Sequence, residues 1–156
     1  MPTHADLIHR YEQGATAPAR AIDGLSREQL TAFPIPNTWS IQQVILHLMD
    51  SDLIASERMK RTIAMDRPLI LGYDETLFTQ RLHYHDQDPH AAAELFRLNR
   101  TMTASLLRAL PAEAWARTLI HSERGLETLE HLVRGYCDHL DHHLKFITAK
   151  RQALGV

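Results

Sequence analysis

The chain has 156 residues, of which 44% are hydrophobic, so it can bury one core and we expect a single domain over residues 1–156. Its formal net charge of -2 at pH 7 offers no basic surface, which argues against a nucleic-acid partner. No apolar run approaches the roughly 18 residues of a membrane span, and the N-terminal residues lack the basic and apolar regions of a signal peptide. We therefore expect a cytoplasmic protein with no membrane partner.

The first half of the chain carries two helical patterns. Apolar residues recur at helical spacing over residues 6–21, although Gly14 and a nearby proline predict a kink or an early end. Asn37 or Thr38 is expected to cap a longer helix over residues 39–64. The buried stripe of that longer helix is predicted to be Ile41, Val44, Ile45, Leu48, Ala55, Met59 and Ile63.

The second half of the chain carries two more long helices. Residues 66–88 lack regular periodicity, apart from a short helix predicted at residues 74–82. A third long helix is expected over residues 88–110, followed by a short strand at residues 117–121. The last helix follows Gly125 and ends in a basic turn.

These segments predict an all-α fold, because four helices have bundle length and no convincing sheet is visible. The fold class is a four-helix bundle with a long connection between helices 2 and 3. The inner face of the third helix is predicted to be Ala92, Leu95, Phe96, Asn99, Met102, Leu106 and Leu110. The inner face of the last helix is predicted to be Leu129, Val133, Tyr136, Leu140 and Ile147.

Histidine is the unusual component of the sequence, with 11 residues. His139 and His143 lie four residues apart at the border of the buried stripe of the last helix, whereas His142 and His131 point away from it. Either His139 or His143 alone fits a hydrogen-bonded residue at the edge of the core. As a pair at this spacing they also fit two metal ligands on one helix.

The other histidines give weaker patterns. His47 lies roughly 100° or more from the centre of the stripe on its helix, so periodicity alone predicts a flank residue with Asp50 as its neighbour. A second, weaker apolar flank would bury it if that side were also covered. His83 and His85 form a competing pair on an extended segment. Histidines without a partner at helical spacing are expected on the solvated surface, and these are His4, His9, His90 and His121.

Three stretches resemble signatures of the DinB-like superfamily. Residues 37–50 contain a Trp-Ser pair followed by a His-Leu-x-Asp sequence that ends at Asp50. Residues 139–144 resemble the second signature, His-x-x-His-His, and residues 68–75 resemble the Pro-to-Tyr-Asp-Glu stretch of a branch named as metal-dependent hydrolases. The order and spacing of the three stretches cover most of the chain.

The resemblance implies a four-helix bundle in which His47, His139 and His143 hold a divalent metal ion, Zn²⁺ or Ni²⁺. It leaves His142 as a flanking residue near the ligands. Asp50, one turn from His47, is the candidate to orient a ligand or to act as a base on water. The branch signature adds three residues at the mouth of the pocket, namely Tyr73, Asp74 and Glu75.

Several functions stay open at this point. The resemblance favours a hydrolase that uses metal-activated water on a small-molecule substrate. A transferase that depends on a low-molecular-weight thiol is the alternative, because DinB-like relatives include such enzymes. A stress-related metal-binding protein without turnover and a purely structural role for the histidines are the remaining hypotheses. The resemblance also implies a homodimer.

Overall fold

The structure, a computed structural model, describes residues 3–156. The helices are α1 (His4–Gln13), α2 (Ala17–Ile22), α3 (Arg27–Thr31), α4 (Ile41–Ala64), α5 (Glu75–Arg81), α6 (Pro89–Arg108) and α7 (Leu129–Leu154). The strands are β1 (Leu69–Ile70), β2 (Thr118–His121) and β3 (Gly125–Thr128). Short 3-10 turns lie at residues 14–16, 84–86 and 112–116. Within residues 3–156, no helix has both the length and the apolar character needed to cross a membrane.

The bundle is formed by α1, α4, α6 and α7, as the sequence predicted. Helix α4 packs against α6 and α7, and α1 packs against the same two helices on the opposite side. The order around the bundle is therefore α1, α6, α4, α7. Helices that follow one another in the chain, first α1 and α4 and then α6 and α7, lie diagonally across the core. The connection between α4 and α6 contains β1, α5 and a 3-10 turn.

The sequence predicted the early end of the first helix but not the residue that caps α4. Helix α1 ends at Gln13, and the chain then passes through a 3-10 turn into α2. A Cβ atom at Gly14 would lie 2.6 Å from Cδ2 of Leu140 and 2.8 Å from a guanidinium nitrogen of Arg100, so a larger residue there would displace one of these two buried side chains. Helix α4 is capped by Ser40, in a capping box with Gln43, rather than by Asn37 or Thr38.

A small three-stranded sheet closes one side of the bundle. Strand β1 pairs in parallel with β2, and β2 pairs with β3 in antiparallel register. Only β2 was predicted, because a two-residue strand such as β1 carries no readable periodicity. Thr128 ends β3 and caps α7, so the sheet leads directly into the helix that carries most of the clustered histidines.

The predicted core stripes of α4 and α7 are confirmed, but that of α6 is wrong in part. Leu95 and Met102 are 43% and 71% exposed, whereas Arg100 is 1% exposed and lies inside. The face of α6 that meets the core combines small residues beside this arginine with two large apolar ones, namely Ala92, Ala93, Thr103 and Ala104 with Phe96 and Leu107. A helical wheel that sorts residues by hydrophobicity places leucine and methionine inward and arginine outward, so the prediction was correct for Ala92 and Phe96 and wrong for Leu95, Met102 and Arg100.

Arg100 joins all four helices of the bundle. From α6 its Nε donates to Oδ1 of Asp52 on α4 at 2.8 Å. Its two terminal nitrogens donate to the carbonyl of Tyr11 on α1 at 3.3 Å and to the carbonyl of Tyr136 on α7 at 2.9 Å. Asn99 donates to the other carboxylate oxygen of Asp52 at 2.7 Å, so the buried charge pair is well hydrogen-bonded.

We expect Arg100→Leu to lower the free energy of unfolding by about 3–5 kcal/mol, because the carboxylate of Asp52 would remain buried without its cation. Urea denaturation followed by circular dichroism measures this loss. Arg97→Leu is the matched control, since Arg97 pairs only with Glu94 on the surface of α6, and its effect should stay within about 0.5 kcal/mol. Similar losses in the two variants would contradict the role assigned to Arg100.

Candidate metal centre

Two neighbouring helices bring three histidines together. His47 lies in the first half of α4, and His139 and His143 lie one turn apart on the facing side of α7. One ring nitrogen from each of the three lies within 4.8 Å of the others, and this is the group within residues 3–156 whose donor atoms converge in a way that fits a metal ion.

The distances within this cluster suit a metal ion. Nε2 of His47 lies 3.1 Å from Nε2 of His139. The centroid of the His143 ring is 4.6 Å from that of His47 and 4.5 Å from that of His139. Nitrogens that share one tetrahedral zinc ion lie about 3.3 Å apart, so small side-chain rotations would bring all three into a first coordination shell.

His47 is fully buried, in contrast to the flank position that periodicity predicted. Its exposed fraction is 0%, because α5 and the 3-10 turn at residues 84–86 cover the second side of α4. The ring of Trp39 also lies 5.1 Å from that of His47. The weaker apolar flank of α4 is thus covered, and His47 lies beneath that cover.

The three imidazoles are neutral at ordinary pH. Burial lowers the pKa of His47 to about 3, with a further contribution from the other two rings. Burial likewise lowers the pKa of His139 to about 3 and that of His143, next to His142, to about 4. Neutral imidazole is the form that binds a metal, so protons compete with metal ions only in acid.

Two buried ring nitrogens of this cluster lack hydrogen-bond partners. Nδ1 of His47 and Nδ1 of His143 are buried and make no hydrogen bond within residues 3–156. The carboxylate of Asp50, which was predicted to orient a ligand or act as a base, instead accepts a 2.6 Å hydrogen bond from the hydroxyl of Tyr84. It does not bond to His47 in this structure, and its role stays a prediction.

The three residues of the third signature, at positions 73–75, have different surroundings in the structure. Oε2 of Glu75 lies 4.0 Å from Nε2 of His47, and since His47 is neutral this contact is not an ion pair. Tyr73 lies close by, with a buried hydroxyl that has no hydrogen-bond partner of ordinary geometry. Asp74 caps α5 by accepting from the backbone of Leu77, which is a structural task.

A cavity of about 290 Å³ adjoins the histidine cluster, and we call it the polar cavity. Its wall includes Arg58, Tyr73, Glu75, His121, Arg124 and His139. Sequence reasoning missed the two arginines, and it placed His121 on the surface although that residue is only 2% exposed. The signal for His121 is its alternation with Leu119 on β2, because alternate residues of a strand face the same way.

The other histidines take no part in the cluster. His142 is exposed on α7, with its ring 4.7 Å from that of Phe146. His83 is exposed, and His85 stacks on Phe33 and contacts the hydroxyl of Ser40 at 3.2 Å. The competing pair from the sequence is therefore not assembled into a site.

Comparisons with known proteins identify the family of this chain. The sequence pattern of the DinB superfamily matches residues 10–147, which confirms the resemblance drawn from the histidine signatures. "Putative metal-dependent hydrolase YfiT" of Bacillus subtilis is 26% identical over 137 residues, covering 87% of this chain and 77% of the relative. A protein of Oceanobacillus iheyensis, also named "putative metal-dependent hydrolase", is 32% identical over 125 residues, covering 80% and 72%.

Solved structures confirm the four-helix bundle. The structure of YfiT, described as having "an unusual four-helix bundle topology", matches with a TM-score of 0.91 at 25% identity, covering 97% of this chain and 87% of YfiT. A mycothiol-dependent maleylpyruvate isomerase matches with a TM-score of 0.72 at 10% identity, covering 92% of this chain and 60% of that one. The second likeness extends to the fold alone.

We expect chelator-treated protein to lose stability as the pH falls from about 6.5 towards about 4. In that range the unfolded chain protonates its histidines, with pKa values near 6.5, while the native cluster resists protonation, so the unfolded state binds more protons. Urea denaturation at several pH values measures the slope. His47→Gln should reduce that slope by up to about 1.4 kcal/mol per pH unit.

Proposed function

This chain belongs to the DinB superfamily, and we propose that it is a metal-dependent hydrolase that holds one divalent ion with His47, His139 and His143. The observation that carries the proposal is the convergence of three neutral imidazoles from two helices beside an acidic side chain and a cavity. Imidazole nitrogen suits Zn²⁺ and Ni²⁺, and these are the ions that we propose. The names of the relatives support the same function.

The protein would hold the metal ion and transfer protons to and from the reacting groups. A divalent ion bound by three histidines supplies Lewis acidity that lowers the pKa of water towards neutrality. The rigid α4 and α7 hold the three donors, and three protein ligands leave a coordination position open. Burial keeps the imidazoles of His47 and His143 neutral, and the ring of Trp39 lies 5.1 Å from that of His47 and 6.4 Å from that of His143.

Glu75 is the residue that we propose as the general base. Its Oε2 lies 4.0 Å from Nε2 of His47, which is close enough to take a proton from a water molecule next to the cluster. Burial, followed by the charge of Asp74, raises the pKa of Glu75 and makes it a better proton acceptor. Asp50 is the rival, but its carboxylate already accepts a hydrogen bond from the hydroxyl of Tyr84.

The alternative functions stay predictions. A low-molecular-weight thiol would use the same open coordination position, and the fold shared with the mycothiol-dependent isomerase is compatible with that use. A metal-binding protein without turnover would keep the metal and lack activity on both substrate types. The homodimer and the cytoplasmic location are likewise proposals that rest on the resemblance alone.

We expect freshly purified protein to contain about one divalent ion per chain, and His47→Ala to lose at least about nine-tenths of it while staying folded. Elemental analysis beside circular dichroism measures both. His142→Ala is the matched control, since this exposed histidine neighbours His143 and should not affect the metal content. Full occupancy in the His47 variant would rule out the three-histidine site.

Glu75→Gln should lower kcat by about 100-fold or more, with unchanged metal content, on any ester, amide or lactone that the protein hydrolyses. Asp50→Asn should stay within about tenfold of the wild type, because its carboxylate is bonded to Tyr84. Assays on a panel of such compounds, run beside a panel of thiol-reactive electrophiles with an added thiol, provide the rates. The opposite ranking of the two variants would identify Asp50 as the base, and activity on the thiol panel alone would favour the transferase.

A further inference from the structure

Arg58 is a buried cation that lacks an anion. The residue is 5% exposed, and its guanidinium donates to the hydroxyl of Tyr136 at 2.8 Å and to the carbonyl of Leu71 at 2.6 Å. Both acceptors are neutral, and no carboxylate of residues 3–156 lies within 4.0 Å of its nitrogens. An unpaired buried charge is costly, so a partner from outside the chain would relieve that cost.

The other arginine of the polar cavity provides a contrast. Arg124 donates to both carboxylate oxygens of Glu127, at 2.6 and 3.2 Å. The deeper arginine of the chain, Arg100, is paired with Asp52. Arg58 is thus the buried arginine of the described residues that the protein itself leaves without a counter-charge.

His121 adds an unpaired donor to the same cavity. Its Nδ1 accepts a hydrogen bond from the backbone N–H of Glu123 at 3.2 Å, which assigns the ring proton to Nε2. This Nε2 is buried and has no acceptor within residues 3–156. Burial and the charges of Arg124 and Arg58 lower the pKa of the ring, so His121 stays a neutral donor. The hydroxyl of Tyr73, in the same wall, is also unpaired.

We propose that the polar cavity is the substrate pocket and that it selects a small molecule carrying one carboxylate, which accepts hydrogen bonds from Arg58 and His121. A planar carboxylate matches the fork of donors on a guanidinium. The rest of such a molecule extends towards His139 and Glu75, which line the same cavity. Glu75 and Glu123 add negative charge to the wall, so a molecule with two carboxylates is disfavoured. This substrate class rests on the proposed function, because it assigns the pocket to the reaction at the histidine cluster.

The test uses phenylacetate and its neutral analogue phenylacetamide, titrated calorimetrically into the metal-loaded full-length protein. We expect the carboxylate to bind at least about tenfold more tightly than the amide. Arg58→Met should weaken phenylacetate binding by about tenfold or more and remove the preference over the amide. His121→Phe should weaken it several-fold without touching the bonds that Arg58 makes to the protein. Arg97→Met, which alters a surface arginine, should leave both affinities unchanged.

A metal-free variant separates the pocket from the metal site. His47→Ala should keep its preference for phenylacetate, because the proposed donors do not belong to the histidine cluster. Loss of binding in His47→Ala together with full binding in Arg58→Met would mean that the carboxylate binds the metal ion, and the proposed pocket would be wrong. Equal binding of the two compounds by the wild type, including no binding of either, would also overturn it.

The two proposals can fail separately. If the wild-type protein binds no metal ion but still prefers phenylacetate, the proposed metal-dependent hydrolase is contradicted and the proposed pocket is supported. Circular dichroism verifies folding, and Arg58→Lys should keep part of the preference because it keeps the charge.

Discussion

The arrangement of the bundle depends on the buried pair of Arg100 and Asp52. Two of the three connections between bundle helices cross the core diagonally, and the third, from α4 to α6, is long, so no short loop holds neighbouring helices in register and side chains must do so. Arg100 donates to α4, α1 and α7 from its place on α6, and it does this at 1% exposure. The positions of α4 and α7 relative to each other follow from these bonds, and those two helices carry the three histidines. The site therefore depends on a charge pair on the other side of α4.

The centre of the bundle and its functional end differ in whether their buried polar side chains have hydrogen-bond partners. At the buried pair, Arg100 donates to one carboxylate oxygen of Asp52 and Asn99 donates to the other, so both oxygens are hydrogen-bonded. At the histidine cluster and the polar cavity, buried polar atoms lack partners, and these are Nδ1 of His47, Nδ1 of His143, the hydroxyl of Tyr73 and Nε2 of His121. Thr103 is the one further buried polar group without a partner within residues 3–156. Unsatisfied polar atoms in native structures concentrate where ligands bind, so their distribution marks the same end of the bundle as the histidines do.

The sequence predicted the bundle and the histidine set, but it did so by two different kinds of information. Periodicity was sufficient for the stripes of α4 and α7, where apolar residues face the core. It failed for α6, because a buried arginine with small neighbours looks like a solvated face. Periodicity also failed to predict the burial of His47. A helical wheel describes one helix at a time, so it cannot show that α5 covers the second side of α4. Only the resemblance included His47. The alternation of β2 could have indicated that His121 is buried, but its meeting with Arg58 was out of reach, because the cavity joins α4 to a strand that lies more than 50 residues further along the chain.

The unpaired groups also explain why the site needs a rigid scaffold. Three neutral imidazoles, an arginine without an anion and a histidine without an acceptor each lower the stability of the empty protein. The matched network around Arg100 and the apolar stripes of α4 and α7 offset this loss, so the bundle can keep the donors in place before any ligand arrives. A ligand that satisfies these groups then regains their desolvation cost as binding energy. In such an arrangement affinity comes from preorganised, unsatisfied donors, and selectivity comes from the requirement that the ligand supply the missing negative charge.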